Sequence, residues 1–242
     1  MPAPEPQRVA FRIDTPEGPL EGAVQTVDAP VPVVSVLAAA RGLAETLLGV
    51  AQRHGAAQGT PVTCRCGCDA CCHHLVPVTP AEAFALAHHV AQLPAAEQDA
   101  VRRRFDAALA QADAAGLREP LEATLSGEGF DHNADWFAAR IPCPFLVDRA
   151  CSIYEQRPIP CREHLVTSAP EDCDRPTPET VRPLPVFARV SRSLTQLCHE
   201  AWGDAPPRIP LPLALRWAEE HVDQRGVRAN GTALLRKLIE EL

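Results

Sequence analysis

Cysteine is concentrated in one short stretch of this chain. Five of the ten cysteines lie within nine residues, from Cys64 to Cys72. Cys64, Cys68 and Cys71 have the spacing C-x3-C-x2-C, which lets one tight turn direct several thiolates at the same volume with little loss of loop-closure entropy. Three thiolates so placed can hold three irons of a [4Fe-4S] cluster if a fourth ligand comes from elsewhere. Thiolates also suit zinc, so the spacing indicates a metal site and leaves the metal open.

A second group of cysteines follows after a long gap. It consists of Cys143, Cys151, Cys161 and Cys173. The first residues of the chain lack the basic and apolar stretches of a secretory signal, so we expect a cytoplasmic location, where structural disulfides are rare. Metal ligands are therefore favoured over disulfide bridges. Two groups far apart in sequence predict one shared centre if the fold brings them together.

The adjacent pair Cys71 and Cys72 leaves the number of metals open. Neighbouring side chains are expected to diverge, so the two thiols could serve different metals or bridge two. Structural zinc usually draws on two separated pairs of cysteine or histidine. Eight thiolates would satisfy two zinc ions with four cysteines each, or one iron–sulfur cluster and a separate structural ion.

Charge and composition exclude several classes of partner. The net charge is -8, so no broad basic surface would neutralise the phosphates of nucleic acid or an anionic membrane. No apolar run approaches the roughly 20 residues that cross a bilayer, so we expect no membrane association. The sequence has no glycine-rich phosphate loop, Ser-His-Asp pattern or HExxH motif, and whether it is an enzyme stays open. The partners expected are a metal ion or cluster and, beyond it, a protein partner or protein substrate.

The apolar periodicity predicts a mainly α protein, a single helical domain with a small N-terminal β-hairpin around a cysteine-ligated metal centre. Turn-forming residues between two short runs predict the hairpin at residues 9–14 and 23–28. The sequence Thr79-Pro80-Ala81-Glu82 combines an N-cap threonine, a proline in the first helical position and a glutamate that closes a capping box. Helices are predicted at residues 33–54, 80–93, 95–115, 119–125, 186–202, 213–224 and 232–242, with one helical turn at 136–140 and a loop at 127–132.

This pattern divides the chain into three regions. Residues 1–58 hold the hairpin and the first helix, and residues 59–175 form the cysteine core. Residues 176–242 supply C-terminal helices that pack on the core. We expect the three regions to form one globular unit, because proline-rich connectors rather than long flexible linkers join them.

Three ordered motifs carry a resemblance to a known family. The first is the C-x3-C-x2-C-C run that ends at Cys72. The second is the Cys-Pro-Phe-Leu of residues 143–146, and the third, C-x-I-Y-x-x-R-P-x-x-C-R, spans residues 151–162. Over residues 60–175 the chain therefore resembles the CxxxCxxCC family of zinc- or iron-chelating cysteine-cluster proteins.

The resemblance implies metal binding and a ligand set. The implied ligands are Cys64, Cys68, Cys71, Cys72, Cys143, Cys151 and Cys161. Cys173 is the candidate for the further downstream cysteine that is common in the family. Cys66 falls outside the pattern, and Cys198, on an apolar helix face, is expected to pack in the core. The flagellin lysine methylases resemble the same core, which implies iron–sulfur-dependent methyl transfer to protein lysine, although this chain is shorter than that class.

Polar residues beside the motifs could tune the centre. A site with many thiolates carries excess negative charge, so Arg157 and Arg162 are candidates to donate hydrogen bonds to cluster sulfurs or to stabilise thiolates. The alternative for both is a surface salt bridge with Glu155 or Glu163. A supporting or exposed role is favoured over metal ligation for the histidines nearest the cysteines, which are His73, His74 and His164.

The leading hypothesis is a cysteine-ligated metalloprotein, with an iron–sulfur centre favoured over zinc by the C-x3-C-x2-C spacing and the methylase resemblance. One alternative is a zinc-binding structural or interaction module, in which the metal holds a helical scaffold together. Another is an iron–sulfur-dependent methyltransferase or redox enzyme with an open coordination position. A further one, metal storage or delivery, requires exposed thiols and labile metal.

Overall fold

A computed structural model describes residues 5–65, 67–126, 132–203 and 208–242. The described part is mainly α, as predicted. The predicted loop at 127–132 lies outside the described residues except for His132. The α-helices in chain order are α1 Val36–Ala57, α2 Pro80–Ala91, α3 Ala95–Ala114, α4 Arg118–Ala123, α5 Asn133–Ala138, α6 Ile159–Glu163, α7 Val190–Trp202, α8 Ala214–Glu220 and α9 Gly231–Glu240.

The predicted N-terminal hairpin is confirmed, and its strands are longer than the sequence indicated. The strands pair antiparallel as β1–β2, β3–β8, β4–β7 and β5–β6. Two of these pairs join segments that are far apart in sequence, and neither was predicted. The bounds are β1 Pro6–Thr15, β2 Gly18–Val27, β3 Pro30–Pro32, β4 Pro77–Val78, β5 Leu146–Val147, β6 Ala150–Cys151, β7 Ile209–Pro210 and β8 Arg228–Asn230.

Helix α1 runs through the core and packs on α6, α7 and α9. Contrary to the expectation from sequence, the segment Val33–Ala57 is long and apolar enough to cross a membrane by length and composition, with a mean hydropathy of 1.6. Half of that stretch is buried inside the protein. A buried core helix has the same composition as a membrane span, so the packing of α1 accounts for its apolar character.

The capping box at the start of α2 is confirmed. The Thr79 side chain accepts a hydrogen bond from the Glu82 amide, and the Glu82 carboxylate accepts one from the Thr79 amide in return. Behind this cap, α2 packs on α3, α7 and α8. The ring of Phe84 lies 5.2 Å from that of Trp217 and 6.2 Å from that of Trp202. These contacts make the cap region part of the rigid core on which the cysteine segments rest.

Candidate metal centre

The first cysteine group lies on an irregular segment that is bent into tight turns. The Cys68 amide donates to the Arg65 carbonyl at 3.0 Å, and the Cys72 amide donates to the Asp69 carbonyl at 2.8 Å. Within the first of these turns Gly67 has a φ of +82°, a conformation that glycine adopts without steric cost. The segment ends in the 3₁₀ turn Ala70–His73. The turns therefore double the chain back on itself and gather thiols that are close in sequence.

The second cysteine group is built from a tight hairpin and a short helix. Cys143 precedes β5, Cys151 lies in β6, and Cys161 is the third residue of α6. The Cys143 amide donates to the Cys72 carbonyl at 2.7 Å, which joins the two groups directly. The prediction that the fold brings the two groups together is confirmed by this contact.

Cys173 approaches the first group from a third segment, the 3₁₀ turn Pro170–Asp174, which packs on the turn Ala70–His73. Contacts of the residues that precede Cys173 in the sequence fix this approach. The Val166 amide donates to the Cys64 sulfur at 3.4 Å, and the Thr63 amide donates to the Val166 carbonyl at 3.1 Å. These contacts hold Cys64 and Cys173 on the same side of the site.

Mutual electrostatic effects divide the thiols into two sets. Burial, together with the neighbouring thiols of Cys151 and Cys71, raises the pKa of Cys143 to about 12. Burial also raises the pKa of Cys161 well above its ordinary value. The thiols of Cys143, Cys71 and Cys151 contribute smaller increases. We call these four residues the inner set: Cys71, Cys143, Cys151 and Cys161.

A second set of thiols lies around the first cysteine segment. Cys64 is exposed, whereas Cys68 and Cys173 are partly buried, as are the four thiols of the inner set. Burial, together with the neighbouring thiols of Cys64, Cys68 and Cys71, raises the pKa of Cys173 to about 11. We call Cys64, Cys68 and Cys173 the outer set. Cys71 influences thiols of both sets and so lies between them.

The thiols of the adjacent pair Cys71 and Cys72 lie close enough to influence each other. The hydrogen-bonding effect of Cys72, followed by burial, raises the pKa of Cys71. The 3₁₀ turn that contains both residues allows the contact, because its tighter winding changes the angle between successive side chains. The pair therefore forms a junction between the two sets.

Arg157 is a cation whose charge acts on the inner set. Its guanidinium lies over the Tyr154 ring at 3.7 Å from the centroid, and its charge lowers the pKa of both Cys71 and Cys151. The buried Nε of Arg157 has no hydrogen-bond acceptor within the described residues. A buried donor without an acceptor is costly, which points to an anionic group beside it.

Arg162 has a different set of partners. Its Nη1 donates to the Glu45 carboxylate at 2.5 Å, its Nε donates to the Arg157 carbonyl at 3.2 Å, and its Nη2 donates to the Glu155 carbonyl. The guanidinium is thus occupied by oxygens, and it ties the third motif to α1. The ion pair with Glu45 was missed because 117 residues separate the two.

Two of the three neighbouring histidines are packed together. The His74 ring stacks on Phe137 at 4.6 Å between centroids and lies 5.3 Å from the His164 ring. Burial lowers the pKa of both His74 and His164. The Nδ1 of His73 lies 3.3 Å from the Asp69 carbonyl oxygen.

The thiols are gathered but not yet arranged around a metal. Over residues 5–65, 67–126, 132–203 and 208–242, no three cysteine, histidine, aspartate or glutamate side chains already surround a point in metal-binding geometry. The position of Cys66 lies outside the described residues.

Cys198 packs in the core, as predicted. It is fully buried on α7. Burial raises its pKa to about 12, against the opposing effect of hydrogen bonds with the Ala81 backbone and the Thr79 side chain. Cys198 therefore helps to support α2.

Comparisons with known proteins give one match. No curated protein and no solved structure matches the chain. A family model described as "CxxCxxCC: Putative zinc- or iron-chelating domain" matches residues 63–177. That range contains every residue of the inner and outer sets, the Cys71–Cys72 junction and Arg157. Residues 63–177 of this chain are therefore similar to the CxxCxxCC family, and the description of that family as a zinc- or iron-chelating domain supports cysteine-ligated metal binding.

Proposed function

We propose that the inner and outer sets, joined at Cys71 and Cys72, form a thiolate metal centre that holds iron and sulfide in preference to zinc. The observation that carries the proposal is the approach of three chain segments to one site beside the Arg157 guanidinium. The Nε of Arg157, buried and without an acceptor among the described residues, fits a site that gains negative charge when metal-bound thiolates form. A reducing, cytoplasmic location belongs to the proposal, because free thiols persist there.

The inner set is unsuited to remain a group of free anions. Burial raises the pKa of Cys143 and Cys161, so the metal-free thiols keep their protons at neutral pH. A bound cation deprotonates its thiol ligands outright. Metal binding here would therefore release protons and replace desolvated thiols with metal–sulfur bonds. Four such sulfurs suffice for a closed, four-coordinate site.

The outer set supports the iron–sulfur version. Cys64 and Cys68, together with Cys71, supply the C-x3-C-x2-C spacing that suits three corners of a [4Fe-4S] cluster. Cys173 supplies a thiol on the side that the spacing leaves open, since its pKa responds to all three of these cysteines. An alternative assignment, in which the centre holds only zinc, rests on the four sulfurs of the inner set.

Elemental analysis and absorption spectroscopy on protein purified without oxygen would test the metal. Iron and acid-labile sulfide in similar amounts, with a broad visible band, are expected. Stoichiometric zinc in a colourless protein, with no iron or sulfide, would reject the iron–sulfur version and leave the thiolate centre. Folded protein that binds neither metal on reconstitution would reject the centre itself.

The exposure of Cys64 favours a second candidate function, group transfer or redox chemistry at a metal with an open position. Cys64 is exposed, so a metal on that side could be reached by a small molecule or a protein side chain. Addition of S-adenosylmethionine to the iron-loaded protein should then shift its absorption or electron paramagnetic resonance spectrum. An unchanged spectrum at saturating S-adenosylmethionine, together with full cysteine coordination of every iron, would reject methyl transfer.

A further inference from the structure

Glu82 is a buried carboxylate whose contacts extend beyond the helix cap to which it belongs. Its side chain is nearly inaccessible, at 2% exposure. One oxygen, Oε2, accepts hydrogen bonds from the Thr79 amide at 2.9 Å and the Thr79 hydroxyl at 3.0 Å. These bonds complete the capping box. The other oxygen, Oε1, accepts a hydrogen bond from the Ile159 amide at 2.8 Å, 77 residues away.

The Ile159 amide is the first N–H of α6, the helix that carries Cys161. Amides in the first turn of a helix have no acceptor within that helix. Glu82 supplies one for Ile159, and its negative charge lies favourably at the positive end of the α6 dipole. Glu82 also adds to the raised pKa of Cys161, after burial and the neighbouring thiols, so the carboxylate lies close to that sulfur.

Helix α6 is too short to hold its own position. A single helical turn is unstable in isolation, so external contacts must orient it. At its far end the Glu163 carboxylate accepts hydrogen bonds from the Ser191 amide at 3.2 Å and the Ser191 hydroxyl at 2.5 Å. The two glutamates thus hold α6 at both ends, Glu82 against α2 and Glu163 against α7.

We propose that Glu82 is a positioning residue of the metal centre, which fixes α6 so that the Cys161 sulfur stays with the inner set. The proposal rests on the proposed thiolate centre. A capping box needs only one carboxylate oxygen, and Oε2 already meets that need. The hydrogen bond from the Ile159 amide to Oε1 is therefore not needed for the cap of α2, and it links Glu82 to α6. Burial raises the pKa of Glu82, while the hydrogen bonds from Thr79 and Ile159 and then the charge of Arg41 oppose that rise and stabilise the carboxylate.

The test compares Glu82→Gln with Thr79→Val in the full chain loaded with zinc. Both variants weaken the cap of α2, but only Glu82→Gln removes the charge beside the Ile159 amide and leaves one neutral oxygen for the two groups of donors that the carboxylate served. Zinc release to a chelator should be about 10- to 100-fold faster in Glu82→Gln, the range seen when a group that orients a ligand is lost. Thr79→Val should release zinc at the rate of the unaltered chain. Equal release rates in the two variants would overturn the proposal.

Cobalt gives a readout that a general loss of stability does not move. With cobalt in place of zinc, the sulfur-to-cobalt charge-transfer intensity per bound cobalt should fall in Glu82→Gln toward that of Cys161→Ser. It should be unchanged in Thr79→Val. Unchanged intensity in Glu82→Gln would count against a positioning role. If the unaltered chain binds neither zinc nor cobalt, the thiolate centre itself is wrong, which separates that failure from failure of the role of Glu82.

A measurement on the unaltered chain covers the case in which Glu82→Gln does not fold. In the zinc-loaded protein the Ile159 amide should exchange with deuterium far more slowly than an amide that is open to solvent. Protection should increase when zinc binds, because metal and carboxylate restrain the same helix. A freely exchanging Ile159 amide in the zinc-loaded chain would overturn the proposal.

Discussion

The inner and outer sets consist of the same residue type in two different settings. Three thiols of the inner set sit on β6, on α6 and before β5, and Glu82 and Arg162 tie α6 to α2 and α1. The fourth, Cys71, lies on the 3₁₀ turn Ala70–His73, and the Cys143 amide bonds to the next residue of that turn, Cys72. Thiols of the outer set sit on the turns around Gly67 and on the 3₁₀ turn Pro170–Asp174. The inner set is held by the core, whereas the outer set is held mainly by local turns.

The difference indicates that the two sets respond differently to loss of metal. Opening a site costs most where many buried contacts must break, and least in exposed loops with few of them. Metal held by the inner set should therefore contribute to folding. Metal held by the outer set should exchange with little disturbance of the fold. A protein with both kinds of site can be structurally stable and still have an accessible metal.

The largest expected effect separates the two sets by substitution. Cys161→Ser removes a ligand from the inner set, and the metal-loaded protein should lose more than about 4 kcal/mol of unfolding free energy, a size typical of the loss of a metal. Cys64→Ser removes an exposed thiol and its hydrogen bond from Val166, and should cost about 1 kcal/mol. Chemical denaturation with metal analysis would measure both. Equal losses would contradict the division into two sets.

A second expected effect is a two-phase release of metal to a chelator. The first phase, from the outer set, should be at least about tenfold faster, because only local opening is required. Helical circular dichroism should stay constant during that phase and decline during the second. In Cys64→Ser the fast phase should shrink while the slow phase remains. A single phase in which metal and helicity disappear together would show that the sets act as one unit.

The sequence predicted those parts of the fold that depend on local chemistry. The capping box at Thr79, the proline at the start of α2 and the hairpin turn before Gly18 are all specified by residues within a few positions of each other. Helix α6 has only five residues, which is too short for apolar periodicity to indicate. The pairing of β4 with β7 was missed for a related reason, since two-residue strands carry no pattern.

The site shows the same limit. Motif spacing predicted which cysteines belong together along the chain, and the contact between Cys143 and Cys72 confirms that the two groups meet. Spacing could not predict that Cys71 would influence thiols of both sets, or that Glu82 would bond to Ile159 across 77 residues. Such contacts depend on how helices pack, and no short stretch of sequence encodes them.

A smaller effect is expected from Arg157, whose charge acts on the inner set. Arg157→Gln removes a cation that lowers the pKa of Cys71 and Cys151, and should weaken metal retention about tenfold. Arg157→Lys keeps the charge without the Nε donor, so it should fall between Arg157→Gln and the unaltered chain. Arg149→Gln is the matched control, because Arg149 is an exposed cation in the turn between β5 and β6. Competition with a chromophoric chelator would rank the variants.

If Arg149→Gln weakened metal retention as much as Arg157→Gln, metal retention would depend on overall charge and not on the position of Arg157. An Arg157→Lys variant equal to the unaltered chain would show that the Nε donor is not needed. The placed charge and the Nε donor of Arg157 are what distinguish the inner set from ordinary buried thiols. Either result would remove one of these two differences.

The smallest expected effect concerns the ion pair that joins the two segments of the outer set. The Nη2 of Arg65 lies 3.5 Å from the Oε1 of Glu171, and the side chains are 66% and 73% exposed. Exposed pairs contribute between about 0 and 1 kcal/mol, and salt screens them. Arg65→Ala, Glu171→Ala and the double variant should therefore show a coupling free energy below about 1 kcal/mol by denaturation. The fast phase of metal release should accelerate slightly at high ionic strength. A larger coupling, or a slow phase that changes with salt, would mean that the outer turns are braced as firmly as α6, and the contrast between the two sets would disappear.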